Sequence, residues 1–261
     1  MDTFWERLTA APRYLDQTDR LLEFIRDEVE RYYHPLAQAL LKLAAAHRCL
    51  VAIAGPPAVG KSAFATALAA VVNTLAEKEI SLVIGLDGWH YPNVYLDTHT
   101  LLRGEQTLSL RSLKGAPETF DALAALATLS AIRADAPGAQ TPFPVYSRAL
   151  HDPIPDAGCV APTHRLLLVE GNYWLLDQPP WNAAHPFFDR SIFLTGEPVT
   201  LLAGLRERLV RGGRTPEDAD AHIQAVDLPN MRLVLEHSAP ANWTVTKADS
   251  RHILRIDPPL E

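Results

Sequence analysis

Leu50-Val51-Ala52-Ile53-Ala54-Gly55-Pro56-Pro57-Ala58-Val59-Gly60-Lys61-Ser62 is the stretch whose reading decides the fold. The apolar run Leu50 to Ala54 reads as a buried strand. It breaks at Gly55, and the pattern G-x-x-x-x-G-K-S follows at once. Ser62 to Leu75 is Ala-rich and reads as a helix. Strand, glycine-bounded loop and helix, in that order, are the context that makes this pattern a phosphate site. A helix N-terminus offers free N–H groups and the positive end of the dipole to an anion. Gly55 and Gly60 let the backbone come close. Lys61 can reach terminal phosphates as a point charge, and the Ser62 hydroxyl can ligate Mg²⁺. Gly55, Pro56, Pro57, Ala58, Val59, Gly60, Lys61, Ser62 and Ala63 are therefore the expected nucleotide contacts. An ordinary strand–turn–helix with a lysine is the bland alternative.

Working outward, the 261 residues suffice for one large α/β domain or two small ones. The expectation is a single domain over 1–261 with an N-terminal helical extension over about 1–48. A formal net charge of −7, without a long basic cluster, argues against nucleic acid as a partner. Two cysteines, Cys49 and Cys159, make neither a zinc pattern nor a disulfide framework, which suits a reducing, cytoplasmic setting. The start MDTFWERLTAAPRY lacks the plan of a signal peptide. No run approaches ~20 apolar residues, so no membrane span is expected.

Apolar residues Leu21, Leu22, Ile25, Val29 and Tyr32 fall at helical spacing within 15–33, and Pro35 is expected to open a second helix, Leu36 to Ala46. Ile80 to Leu86 reads as a second buried strand that ends at Asp87. Ligands of open α/β sheets lie beyond the carboxyl ends of strands, which puts Asp87 near the phosphate loop. There it can accept the proton of a substrate hydroxyl; starting a turn is the alternative reading. A short helix over 93–102, an irregular 103–117 and a helix over 119–132 follow, the last with Phe120, Leu123, Leu126 and Leu129 on one face. Ala136 to Gln140 reads as a loop, Phe143 to Ser147 as extended, and Arg148 to Pro162 as a long polar loop. Arg165 to Glu170 is a third buried strand, whose terminal carboxylate fits the second half of a Mg²⁺–nucleotide site. Ser191 to Thr195 is a fourth. Pro198 to Arg211 is helical, with Arg206, Arg208 and Arg211 on its surface and Arg214 beyond Gly212-Gly213. This suits a hinged lid over phosphates, or simply a solvated charged face. Thr215-Pro216-Glu217-Asp218 is a good helix start. Trp243 to Thr246 and Ile253 to Ile256 read as closing strands.

GPPAVGKS, LDGWHYPN, KGAPETFD, FPVYSRALHDPIPD and LLLVEGN occur in that order. Together they resemble the phosphoribulokinase/uridine kinase/type I pantothenate kinase superfamily, and most nearly its bacterial nucleoside/nucleotide kinase-like, or fructose-transport kinase-like, branch. The resemblance spans about residues 35–256. It implies a P-loop NTPase-type α/β three-layer sandwich with a mostly parallel central sheet. It implies Asp87 as base, Lys61 and Ser62 at phosphates and metal, Glu170 at the metal, and lid arginines among Arg208, Arg211 and Arg214. It also implies acceptor contacts at Tyr146, Arg148 and His151, with His90, Tyr91, Asn93 and Lys114 shaping the same pocket. Pantothenate kinases carry His where this chain has Arg148, and a Tyr-Asp pair where it has His151-Asp152.

The expected activity is transfer of the γ-phosphoryl group of ATP, with Mg²⁺, to a hydroxyl of a small metabolite such as a sugar, nucleoside or related alcohol. Asp87, Lys61, Arg208 and Arg211 are the expected catalytic groups, Ser62 and Glu170 the metal ligands. Pantothenate kinase-like activity is one alternative. A nucleotide switch or GTPase is another, since Thr246-Lys247-Ala248-Asp249 mimics a guanine-specificity motif, although Asp135-Ala136-Pro137-Gly138 follows a helix rather than a strand. A nucleotide-binding protein without transfer chemistry is the third. A homodimer is left open.

Overall fold

The computed structural model describes residues 2–15, 21–135 and 138–260. The chain runs through α1 (Asp2–Thr9), α2 (Arg26–Glu28), a π turn (Val29–Tyr33), α3 (His34–Ala44), β1 (Cys49–Ala54), α4 (Lys61–Ala76) and β2 (Ser81–Gly85). It continues through α5 (Asn93–Thr98), the hairpin β3 (Thr100–Arg103) and β4 (Gln106–Ser109), α6 (Ala122–Ala134), and a second hairpin, β5 (Thr141–Ser147) and β6 (Asp152–Val160). After β7 (Leu166–Glu170) and β8 (Arg190–Gly196) come α7 (Pro198–Arg211), α8 (Pro216–His222) and α9 (Leu228–His237), then β9 (Trp243–Lys247) and β10 (Ile253–Asp257).

Six strands form the central sheet in the order β10-β9-β8-β1-β7-β2. All neighbours are parallel except the edge pair β9 and β10. A strand covered on both faces must be apolar throughout, which is why β1 and β7 read as unbroken hydrophobic runs. Every residue of both is buried. Their side chains alternate between two cores. Cys49, Val51, Ile53, Leu166 and Leu168 join one core with Phe4, Leu8, Leu40 and the buried face of α4. Leu50, Ala52, Ala54, Leu167 and Val169 join the other with α6, Trp174 and Trp181. The three layers are thus helix, sheet and helix.

Five expectations change. Leu21 to Ile25 are not helical: Leu21 pairs with Tyr14, and Leu22 N–H donates to Arg13 O. Helix begins only at Arg26, while residues 16–20 of the expected helix lie outside the described residues. Pro35 stands in the first turn of α3 as expected, but α3 continues the π turn without a break and is not a separate helix. The π turn, with His34 N–H donating to Val29 O, widens the coil just where a proline lacks its N–H and would crowd the preceding turn. The irregular 103–117 contains the β3–β4 hairpin, turned at Gly104-Glu105. Leu123 is exposed, and α6 buries Ala122, Ala125, Leu129 and Ile132 instead. The polar loop 148–162 is mostly β6, antiparallel to β5. Its Pro153 and Pro155 are tolerated because β6 pairs on one side only, and the ladder shifts register between Phe143 and Val145. The Ala136 and Pro137 part of the expected loop lies outside the described residues, as does the middle of Asp135-Ala136-Pro137-Gly138.

Candidate active site

β1 sits at the middle of the sheet, with β7 on one side and β8 on the other. Chain connections diverge there, and the carboxyl edge opens a crevice. β1 feeds the glycine-bounded loop into α4, β7 ends at Glu170, and β2 leads into a 3-10 turn (Leu86–Trp89) that carries Asp87. Three strand ends thus meet at one edge.

The loop is preformed. Gly60 caps α4 with φ of 89°, and a Cβ there would lie 2.1 Å from the carbonyl oxygen of Ser250. Only glycine fits both the left-handed backbone and the approach of the β9–β10 turn. The Lys61 ammonium folds over the loop and donates to Gly55 O at 3.0 Å and Pro56 O at 2.8 Å. Burial pushes its pKa down to about 8, against the pull of Glu170 and Asp87 and together with the push of Arg208. Ser62 Oγ donates to Glu170 Oε1 at 2.9 Å. A hydroxyl and a buried carboxylate at the mouth of an amide-lined loop form an oxygen donor pair. Mg²⁺ takes one or two such protein ligands and completes its shell with phosphate and water. These residues therefore fit the ion. No cluster of three or more metal-ligating side chains occurs among the described residues, and none is needed for this mode of binding.

Asp87 faces this loop from β2. Gly88 holds the turn flat: a Cβ there would meet Pro144 O at 2.1 Å, so the β5–β6 hairpin lies across it. The hairpin delivers Arg148, whose Nη2 lies 3.0 Å from Asp87 Oδ2. His90 Nε2 lies 3.9 Å from Asp87 Oδ1. Burial would raise the Asp87 carboxyl, but His90, Arg148, Lys61 and Arg208 outweigh it and hold it below the usual carboxylate range. Asp87 is thus an anion at neutral pH, able to accept a proton or hydrogen bond. His90 stacks on Phe120 at 3.8 Å, and burial lowers its pKa.

Asn93 and Lys114 join the same wall. Lys114 Nζ donates to Asn93 Oδ1 at 2.7 Å and to His151 O at 2.8 Å, and it sits 5.0 Å from the Tyr146 ring centroid. His151 contributes its carbonyl, presented by a left-handed φ of 53°, while the residue itself is exposed. Tyr91 turns aside to stack on Tyr95 at 4.4 Å. Of the arginines expected on a lid, Arg208 is the one whose charge reaches Lys61 and Asp87. Arg211 pairs with Glu207 on the exposed face of α7, and Arg206 with Asp220. The structure therefore brings together Lys61, Ser62, Glu170, Asp87, His90, Arg148, Tyr146, Lys114 and Asn93. Arg211 and the Tyr91 and His151 side chains take other partners or face solvent.

Sequence reasoning missed two features. Asp152 Oδ1 accepts the Asn93 N–H at 2.8 Å and so ties β6 to the start of α5. Its place in HDPIPD was the available signal. The other is a cavity of about 270 Å³ beside the first turns of α4, lined by Phe24, Tyr33, Ala63, Phe64, Ala67 and Lys247 among others. Its walls lie more than two hundred residues apart in the chain, which no local pattern reveals. Next to it, Asp249 is occupied: hydrogen bonds from His252 and Arg251 hold its pKa at about 2 despite burial.

The loop, the two strand-end carboxylates and the parallel sheet define a P-loop kinase. No protein-family model matches the sequence. The chain is 33% identical over 226 residues to "Uncharacterized protein YggC" of Escherichia coli, covering 85% of this chain and 89% of that protein. It is 32% identical over 209 residues to "Putative uridine kinase C227.14" of Schizosaccharomyces pombe, covering 79% and 86%. A crystal structure of a "putative fructose transport system kinase" from Silicibacter superposes with a TM-score of 0.70 at 32% identity, covering 81% of this chain and 98% of that one. The chain belongs to the superfamily of P-loop kinases that includes uridine and pantothenate kinases, whose phosphoryl donor is ATP with Mg²⁺. Among the described residues no helix is long and apolar enough to cross a membrane.

Proposed function

We propose that this protein is an ATP-dependent kinase that transfers the γ-phosphoryl group to a hydroxyl of a small metabolite, a sugar, nucleoside or related alcohol. The observation that carries this reading is Asp87, an ionised carboxylate in the turn just after β2, set electrostatically against Lys61 and Arg208 across the phosphate loop. The backbone N–H groups of the loop from Gly55 to Ala63, those of all its residues but Pro56 and Pro57, hold the triphosphate, and Lys61 exchanges the carbonyls of Gly55 and Pro56 for phosphate oxygens. The cavity beside α4 receives the base of the nucleotide. Ser62 and Glu170 would hold Mg²⁺, which when bound would neutralise charge on the phosphates. Asp87 accepts the acceptor's hydroxyl proton. The acceptor oxygen bonds to the γ-phosphorus, the bond from that phosphorus to the β–γ bridging oxygen breaks, and ADP leaves with that oxygen. Arg208, on the lid helix, offsets the charge that develops between them. Asp249, already holding hydrogen bonds within its own turn, gives no support to the guanine-specific alternative.

The test is transfer of label from γ-labelled ATP to a panel of sugars, nucleosides and pantothenate. A labelled phosphoester that Lys61→Ala forms orders of magnitude more slowly supports the reading. Slow ATP hydrolysis that no acceptor accelerates contradicts it.

A further inference from the structure

We infer that Arg148 is a latch on the base: while no acceptor is bound, its guanidinium occupies the Asp87 carboxylate and keeps the site from passing the γ-phosphoryl group to water. The inference rests on the kinase reading of the site and adds to it a positioning residue that acts through Asp87. An ionised carboxylate facing the γ-phosphate exposes a kinase to a side reaction. Water is smaller than any acceptor and far more abundant. It can stand where the acceptor hydroxyl stands and give its proton to Asp87. Its oxygen then bonds to the γ-phosphorus, the bond from that phosphorus to the β–γ bridging oxygen breaks, and ADP leaves with that oxygen beside free phosphate. A site without its acceptor has to withhold the base or shut water out.

Arg148 Nη2 donates to Asp87 Oδ2 at 3.0 Å. A carboxylate oxygen that already accepts a charge-assisted hydrogen bond is a weaker proton acceptor, and the guanidinium fills the approach to it. The backbone that carries Arg148 is fixed. Ser147 is buried, and its Oγ accepts the Leu150 N–H at 3.2 Å. The carbonyl of His151 accepts from Asn93 Nδ2 at 3.0 Å and from Lys114 Nζ at 2.8 Å. A Cβ on Gly88 would lie 2.1 Å from Pro144 O, so β5 runs hard against the turn that carries Asp87. The Arg148 side chain, by contrast, is 43% exposed and that of Asp87 44%. Arg148 can therefore leave by rotation about its own stem while the hairpin stays in place. Asp87 is not its sole contact: the guanidinium also lies 5.3 Å from the centroid of the Tyr146 ring. Exposed ion pairs shift a population by a factor of up to about five. That is enough to keep most of the free protein latched, and little enough for an acceptor's own hydrogen bond to Asp87 to open it.

The test needs no acceptor. The full chain, Arg148→Gln, Arg148→Lys, Asp87→Asn and the Asp87→Asn, Arg148→Gln double variant are given saturating ATP and Mg²⁺. Phosphate release is followed over many hours, beside calorimetric binding of a non-hydrolysable ATP analogue. We expect Arg148→Gln to hydrolyse ATP about fivefold faster than native, the population ratio of an exposed ion pair, without tighter binding of the analogue. Arg148→Lys keeps a cation at the same place and should recover part of the suppression. In the Asp87→Asn background Arg148→Gln should bring no gain, which separates release of the base from a general loosening of the hairpin. Hydrolysis by Arg148→Gln no faster than native, or undetectable in both, would overturn the inference. So would a gain that persists in the double variant. Native protein that fails to bind the analogue would instead refute the kinase reading.

Discussion

Raising the pH from 7 to 9 should weaken ATP binding about tenfold through Lys61 alone. Its ammonium is buried against the phosphate loop with a pKa of about 8, two units or so below that of a free lysine. With that value, about nine-tenths of the free protein carries the charge at pH 7 and about one-tenth at pH 9. The phosphates bind the charged form and raise its pKa in the complex. Affinity is therefore full below about pH 8 and falls by about a decade per unit above it. The complex should also take up a proton, roughly half an equivalent at pH 8. Calorimetric titration with a non-hydrolysable ATP analogue, in two buffers of different ionisation enthalpy, reads both quantities. Arginine does not titrate in this range, so Lys61→Arg should bind with a flat profile. Lys247 beside the base cavity is also held near 8 by burial, so this variant decides between them. A native profile flat from pH 7 to 9, or a slope that survives in Lys61→Arg, would refute the assignment to Lys61.

Other perturbations follow from the same geometry. Gly60→Ala should abolish nucleotide binding and lower Tm, because its Cβ would sit 2.1 Å from Ser250 O at a φ of 89°; calorimetric binding comparable to native would show that the loop relaxes freely. Asp227, at the end of the turn that follows α8 and with one carboxylate oxygen lacking a hydrogen bond, has its pKa raised to about 6 by burial. The folded state binds its proton more tightly than the unfolded chain does, so this group's contribution is fully present below about pH 4 and is lost as pH rises through 6. Asp227→Asn should therefore stabilise the protein at pH 7.5 by about 1–3 kcal/mol in urea melts, with little gain at pH 4. Equal or lower stability at pH 7.5 would mean that His222, 3.6 Å away, already compensates the carboxylate.

The sheet was legible because its strands are buried on both faces. LVAIA and LLLVE leave no other reading, and each hands its last residue to the same crevice. The loop was legible because its glycines answer a local demand of the backbone. The β5–β6 hairpin was not, since Pro153 and Pro155 argue against strand until it is known that β6 pairs on one side only. Within the site, Asp87, Lys61, Ser62 and Glu170 could be named from strand ends and loop spacing. Which arginine faces them could not, because Arg206, Arg208 and Arg211 are equally charged and nearly equally spaced, and only the packing of α7 separates them. The grip of Arg148 on Asp87 bridges 61 residues and depends on the turn at Gly88 accepting a carbonyl where a side chain would stand. The cavity beside α4 was hidden for the same reason, as one of its walls comes from Phe24, in a segment whose spacing suggested helix.

The most direct measurement is single-turnover phosphoryl transfer by Asp87→Asn, taken beside its ATP affinity. We expect ATP to bind within a few-fold of native while transfer to the acceptor slows by about two to four orders of magnitude, as loss of a general base requires. Transfer at a near-native rate by that variant would contradict the central claim that the carboxylate in the turn after β2 activates the acceptor across the phosphate loop.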